Sequence, residues 1–191
     1  AASDVYKRQP IAPLKGFDLN HVYSSWDVLG FGGRVNTEGP AVIFDDTGTF
    51  EAISVADALL ERGMQVTLVS RYESLGASLP YPPATVEAAK ERLMSQNFDF
   101  IGGHYIQAIT QDEVMIGVPF TERKRRLQAN TVALVTYNHP NRELGDYLTN
   151  QSLQSNQAIH TIGDASGTNG IQAAIHQAAN LIRSLLSLIH I

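Results

Sequence analysis

Between Ala41 and Val69 the chain spells one strand, one helix and a second strand, and this unit restricts the fold more than any other stretch. Ala41-Val42-Ile43-Phe44 is apolar without alternation, the pattern of a strand covered on both faces. Residues 45–49 form a polar turn. Ala52, Val55, Ala56, Leu59 and Leu60 then recur at helical spacing, and Gly63 stands where a helix C-terminus needs a left-handed residue. Val66-Thr67-Leu68-Val69 is the second β-rich run. A crossover of roughly thirty residues joins neighbouring parallel strands, so the chain is built around a parallel sheet.

The remaining pattern extends that sheet. Pro10 to Gly39 lacks periodicity apart from one short helical turn near Ser24–Leu29, and it reads as a connector. Pro82-Pro83 opens a second helix carrying Val86, Ala89, Leu93 and Met94 on one face, and Phe98–Ile101 follows as a third strand. From His104 the rhythm changes to short β-like runs at residues 105–109, 114–118 and 124–127, an antiparallel meander. Thr131–Val135 is again a buried strand, and residues 138–141 a turn. Residues 158–162 are expected as the last strand, feeding a helix over 168–185 with Ile171, Ala174, Ile175, Ala178 and Ile182 on one face. The predicted architecture is α/β, a Rossmann-like parallel sheet with helices and an antiparallel β-meander.

The chain's 191 residues suit one domain or two small ones sharing a core. It contains no cysteine, which excludes a disulfide framework, a Cys-ligated zinc or iron–sulfur cluster and a thiol nucleophile within it. A net charge of −5 argues against nucleic acid as the main partner. No apolar run reaches the ~18–20 residues of a membrane span, so the expectation is no membrane and a cytoplasmic setting. The ends carry a different signal. Leu186–Ile191 reads LSLIHI, and the reverse complement of one DNA encoding it translates to DVYKRQ, the residues Asp4–Gln9. One DNA element in both orientations therefore flanks the chain, and it resembles a transposase mosaic end used in sequencing libraries. Residues 1–9 and 186–191 are thus expected to be tails without a packed role, on a piece cut at both ends.

The first βα turn lies where a dinucleotide fold places its phosphate loop, G-x-G-x-x-G/A. Aligned on the helix, those places hold Thr47, Thr49 and Ala52, with Gly48 between. Threonine hydroxyls and helix N-terminal amides can hold phosphate, whereas Asp45-Asp46 repels it; the plain alternative is a βα turn with Thr49 as N-cap. Ser70-Arg71 ends the second strand, where an arginine favours NADP over NAD; the alternative is an exposed loop arginine. Gly163-Asp164-Ala165 precedes the last helix, where a carboxylate beside helix amides accepts ligand hydroxyls; the alternative is a capping aspartate. The six histidines show no metal spacing, and residues 123–126 read as a solvated strand edge. No catalytic residue is singled out.

Several pieces match one family in order: Phe44-Asp45-Asp46-Thr47-Gly48, Ala56 with Leu59-Leu60-Glu61-Arg62-Gly63, Val66–Val69, residues 131–141, Ile162-Gly163-Asp164-Ala165 and Ile171-Gln172-Ala173-Ala174-Ile175-His176. Together they resemble the C-terminal FAD/NAD(P)-binding region of old yellow enzyme-like NADH:flavin oxidoreductases, of the 2,4-dienoyl-CoA reductase and trimethylamine dehydrogenase type. The resemblance covers nearly all of residues 39–185. It implies a parent with an N-terminal barrel holding FMN, an iron–sulfur cluster, and an FAD-type domain with an NAD(P)-binding domain inserted. By that likeness residues 10–38 connect, 39–145 are the inserted domain, and 146–185 return to the FAD-type domain. Asp164 then corresponds to the aspartate bonding the FAD ribityl chain, with Gly163, Ala165 and Gln172 beside it. Thr136–Asn141 resembles a T-G-x-x-P-N turn, bringing in Asn138, with Tyr137 replacing glycine.

Two functions follow from the resemblance. In one, this region passes hydride from NAD(P)H to FAD and on to barrel-bound FMN. In the other, the inserted domain is a vestigial ADP-binding or scaffold module, which the threonines at 47 and 49 and Tyr137 favour. A disulfide-reductase activity fails on the missing cysteines unless these lie upstream. The implied partners are the barrel and the first FAD-binding segment of the same parent, and the chain alone holds part of an FAD site.

Overall fold

The computed structural model describes residues 6–8, 14–32, 35, 37–79, 84–140, 142–152, 158–167 and 170–187. The backbone divides into two compact units, one of residues 10–136 and one of residues 1–9 with 137–191.

The first unit is a three-layer α/β assembly. In chain order it contains β2 (Val22–Ser24), α1 (Ser25–Val28), β3 (Ala41–Asp45), α2 (Phe50–Leu60), β4 (Val66–Ser70), α3 (Ala84–Met94), β5 (Phe98–Ile101), β6 (Tyr105–Ile109), β7 (Glu113–Gly117), β8 (Lys124–Gln128) and β9 (Thr131–Val135), with β1 (Tyr6–Arg8) in the other unit. Strands β2-β9-β3-β4-β5 form a five-stranded sheet, parallel throughout. Strands β6-β7-β8 form a separate antiparallel sheet.

Pleating sorts the apolar residues of the central strands to two cores. Ala41, Ile43, Val66, Leu68, Ala133 and Val135 pack with Ala52, Val55, Leu59 and Leu93 of the helices. Val42, Val69, Val132 and Leu134 pack instead with Ile106, Ile109, Val114, Ile116 and Leu127 of the meander. Burial on both faces explains why the predicted strands showed no alternation. The edge strand β8 presents Lys124, Arg125 and Arg126 to solvent, which discourages pairing with another chain.

The segment read as a connector contributes more than expected. Val22–Ser24 is an edge strand of the main sheet, pairing Val22 with Val132 and Ser24 with Leu134. Ser24 then caps α1: its hydroxyl accepts the Asp27 amide at 3.2 Å while the Asp27 carboxylate accepts the Ser24 amide at 2.8 Å. Three strand residues are too few to show a period, so sequence pattern cannot find them. Gly63, with φ +78°, ends the α2 turn as read.

In the second unit, β1 pairs antiparallel with β10 (Asn138–Pro140), and α4 (Glu143–Ser152), a one-turn 3₁₀ helix (Gly163–Ala165) and α5 (Gly170–Ser187) follow. Three expectations change here. Residues 138–140 are a strand, not a turn; Asn141 lies outside the described residues. Residues 158–162 are not a strand; they are exposed and pair with none among the described residues, and a strand without a neighbour leaves its amides to water. The tails are not wholly free of structure either, since Tyr6–Arg8 pairs with residues 138–140 and α5 runs to Ser187.

Candidate functional site

In open α/β sheets ligands bind beyond the C-terminal ends of the strands, where the strand order reverses. Here that point lies between β3 and β9: the chain runs outward from β3 through β4 to β5, then returns to β9 on the other side of β3. The crest at this point is formed by the turn from β3 into α2 and by residues 71–79 after β4.

Asp45 closes β3 and is 1% exposed. Its Oδ1 accepts the Thr47 amide at 3.0 Å, the Thr47 hydroxyl at 3.1 Å and the Gly48 amide at 2.8 Å. Its Oδ2 accepts the Ser70 hydroxyl at 3.2 Å. Ser70 Oγ in turn accepts the Tyr72 amide at 3.2 Å. An aspartate bonding the amide two residues on is a common turn device, and here it also ties the β3 turn to the end of β4. The Thr47 and Thr49 hydroxyls lie 2.9 Å apart, so with Thr47 donating to Asp45, Thr49 donates to Thr47. Thr49 does occupy the N-cap position of α2, but its side chain bonds no helix amide.

Gly48 takes φ +67°, which accounts for glycine in the turn. Its carbonyl accepts the Ser78 amide at 3.0 Å. A Cβ placed on it would stand 2.7 Å from Ser78 Oγ and 3.0 Å from Tyr72 Cε2. The 71–79 segment is pinned on its other side, where Tyr72 O accepts the Gly103 amide and Ser70 O the His104 amide, both at 3.0 Å. The side of Gly48 on which a side chain would stand is therefore occupied by Tyr72 and Ser78.

Arg71 is exposed, with Nη1 2.9 Å from Asp46 Oδ1 and its guanidinium 5.8 Å from the Tyr72 ring centre. Burial raises the Asp46 carboxyl above its usual range; the nearby Arg71 charge and hydrogen bond oppose that rise. Glu51, in the first turn of α2, accepts the Ser25 hydroxyl. The amino end of α2 is thus surrounded by the carboxylates of Asp45, Asp46 and Glu51. Ala52 is fully buried in the helix-side core. The structure brings together Thr47, Gly48, Thr49 and Arg71 at one crest, but it turns Thr47 and Gly48 inward. At this turn the Thr47 and Gly48 amides already bond the Asp45 carboxylate, and Tyr72 and Ser78 lie against Gly48.

The other predicted residues lie in the second unit. Gly163, with φ +65°, donates its amide to Gln177 Oε1 at 2.6 Å, and the Ser166 hydroxyl lies 2.8 Å from Gly163 O and 3.1 Å from Gln177 Oε1. Asp164 and Ala165 are half-buried in the 3₁₀ turn ahead of α5, and Gln172 is exposed on α5. The Asn138 side chain and residues 168–169 lie outside the described residues. Among the described residues no group of His, Cys, Asp or Glu is placed to hold a metal ion, and no helix is long and apolar enough to cross a membrane.

Sequence reasoning missed Ser70, Tyr72, Ser78 and Gln177 as the groups that complete these turns. It read Asp45 only as a repelling charge. The Asp-x-Thr-Gly order carried the signal for Asp45, as an aspartate placed to bond the next two amides but one; the others come from distant segments and carry none.

No protein-family model and no curated protein matches the sequence. Solved structures do. The chain is similar to 6-hydroxypseudooxynicotine amine oxidase from Pseudomonas geniculata N1, with TM-score 0.75 and 23% identity over 91% of this chain and 26% of that one. It is similar to histamine dehydrogenase from Rhizobium sp. 4-9, with TM-score 0.76 and 21% identity over 95% of this chain and 28% of that one. A flavoprotein disulfide reductase from Escherichia coli matches with TM-score 0.54 and 14% identity over 84% of this chain and 33% of that one. The chain thus spans about a quarter of the length of the first two. The fold is the Rossmann-like α/β fold of flavoprotein oxidoreductases.

Proposed function

We propose that this chain is the dinucleotide-fold part of a longer flavin-dependent oxidoreductase, and that its domain built on β3–β5 and β9 is a scaffold with a closed nucleotide crest. The observation that carries the reading is the filling of the space above Gly48 by Tyr72 and Ser78. A domain that delivered hydride from NAD(P)H would leave that approach open. In this reading FMN and an iron–sulfur cluster belong to other parts of the parent, and the flanks at residues 1–9 and 186–191 derive from library DNA. Gly163, Asp164, Ala165 and Gln172 belong to one segment of an FAD- or ADP-type site. Bound there, FAD would supply a two-electron acceptor; Asp164 would accept hydroxyl donors from it.

Calorimetric titration of the purified chain with NADPH, NADH and ADP tests the scaffold role. Dissociation constants weaker than about 1 mM for both nicotinamide cofactors are expected, a binding free energy smaller than ~4 kcal/mol. Micromolar binding of either would overturn it. The second reading, hydride passed from NADPH through FAD toward FMN, is favoured by one observation: Arg71 is exposed at the end of β4, where it could meet a 2′-phosphate. Under that reading the chain binds NADPH more tightly than NADH, and Arg71→Ala abolishes the difference.

A further inference from the structure

The geometry points to Asp45 as the residue that closes this crest: its carboxylate is a built-in anion bonded to the two turn amides ahead of α2, those of Thr47 and Gly48, and through Ser70 it holds down the segment that covers them. The inference rests on the closed-crest reading and names the group responsible for it.

The two parts of the closure are joined by one relay. Oδ1 takes the Thr47 and Gly48 amides, at 3.0 and 2.8 Å, so an incoming anion gains nothing from them unless it first displaces a charged group. Oδ2 takes the Ser70 hydroxyl at 3.2 Å, and Ser70 Oγ takes the Tyr72 amide at 3.2 Å. Tyr72 is the residue whose ring edge lies over Gly48. The carboxylate therefore acts twice, as plug and as latch. Its own anchorage explains its persistence: at 1% exposure a carboxylate needs its lone pairs filled, and four donors fill them. A general helix N-terminal attraction for anions does not account for this arrangement, since the bonds fall on the turn amides ahead of α2 rather than on its first turn.

Shortening this one side chain should free the Thr47 and Gly48 amides and loosen Tyr72. Asp45→Ala and Asp45→Ser are to be compared with wild type and with Ser70→Ala, using inorganic pyrophosphate and ADP as probes. Hydrogen exchange at the Thr47 and Gly48 amides gives a readout independent of binding. Both Asp45 variants are expected to lose at least tenfold protection at those amides, with Leu68 unchanged, and to bind pyrophosphate and ADP at least tenfold more tightly than wild type. Ser70→Ala releases the latch but leaves the plug, so it should gain no affinity. Folded Asp45 variants that bind no better than wild type overturn the assignment, whatever wild type does with NADPH. Micromolar NADPH binding by wild type instead overturns the closed-crest reading itself. If neither Asp45 variant folds, Asp45 is a structural keystone alone and the assignment fails. A gain in Ser70→Ala equal to that in Asp45→Ala would also overturn it, by placing the block in the covering segment.

Discussion

Replacing Gly48 by alanine asks how firmly the 71–79 segment sits on the crest. The added methyl meets two separable penalties. The first is conformational: at φ +67° an L-residue costs roughly 1–2 kcal/mol. The second is steric, because the methyl lies 2.7 Å from Ser78 Oγ, 3.0 Å from Tyr72 Cε2 and 3.1 Å from the Ser78 amide nitrogen. A serine side chain can rotate away, but the Ser78 amide is held by Gly48 O and the Tyr72 backbone by its bonds to the Gly103 amide and Ser70 Oγ. Overpacking of a fixed neighbour costs roughly 1–3 kcal/mol. The sum is about 2–5 kcal/mol, a large share of the ~5–15 kcal/mol that holds a domain together. The chain's one tryptophan, Trp26, lies in α1 of the same unit, so its fluorescence in a urea titration reports that unit. With a slope of about 2 kcal/mol/M the midpoint should fall by about 1–2.5 M. A fall below about 0.5 M would mean that the covering segment yields freely, and the pinned crest would be refuted.

Leu68→Ala empties a fully buried site on the helix-side core and should cost about 2–5 kcal/mol in the same titration; a loss below 1 kcal/mol would contradict that packing. Phe120 is 106% exposed at φ +62°, in a turn where Pro119 precedes it and the Thr121 amide bonds Val118 O at 3.3 Å. That is the glycine position of a type II turn, so Phe120→Gly should stabilise by about 0.5–1 kcal/mol, and a clear fall in melting temperature would refute the strain. The Asp46 carboxyl is raised by burial from 3.8, against the pull of Arg71, so its protonation favours the folded state. It adds stability below the unfolded value, and this is lost as pH rises through the folded value. Arg71→Ala removes the opposing influence and should move the Asp46 carboxyl resonance in a carbon-13 titration to a higher pH; a downward move would sink the argument.

The sheet was legible because its strands are covered on both faces. Three of the five, β3, β4 and β9, appear as unbroken apolar or β-rich runs, the edge strand β5 as Phe98-Asp99-Phe100-Ile101 with Asp99 exposed, and the meander as three short runs split by turns. The fifth, β2, was not, because a three-residue edge strand takes its identity from its neighbour β9. Residues 158–162 failed in the opposite direction: Ile159 and Ile162 give β character, but pairing is non-local and no described strand supplies it. At the crest, the location was readable from the βα turn and its direction was not. Which way Gly48 faces depends on Ser70, Tyr72 and Ser78, which are 22 to 30 positions away and match no motif.

Possession of a dinucleotide fold and capacity to bind a dinucleotide separate at the level of individual amides. Anion binding at a turn needs backbone donors that face outward and lack a better acceptor. In the first unit the Thr47 and Gly48 amides already have the Asp45 carboxylate. In the second, the Gly163 amide has Gln177 Oε1. The acceptors differ in consequence. A neutral amide oxygen on α5 can be displaced at modest cost, because a side chain on a helix surface can turn to water. A carboxylate at 1% exposure cannot leave without losing four donors at once and cannot share them with another anion. The acceptor at the Gly163 turn is therefore replaceable and the one at the Thr47–Gly48 turn is fixed. Anion binding is accordingly easier at the Gly163 amide than at the Thr47 and Gly48 amides.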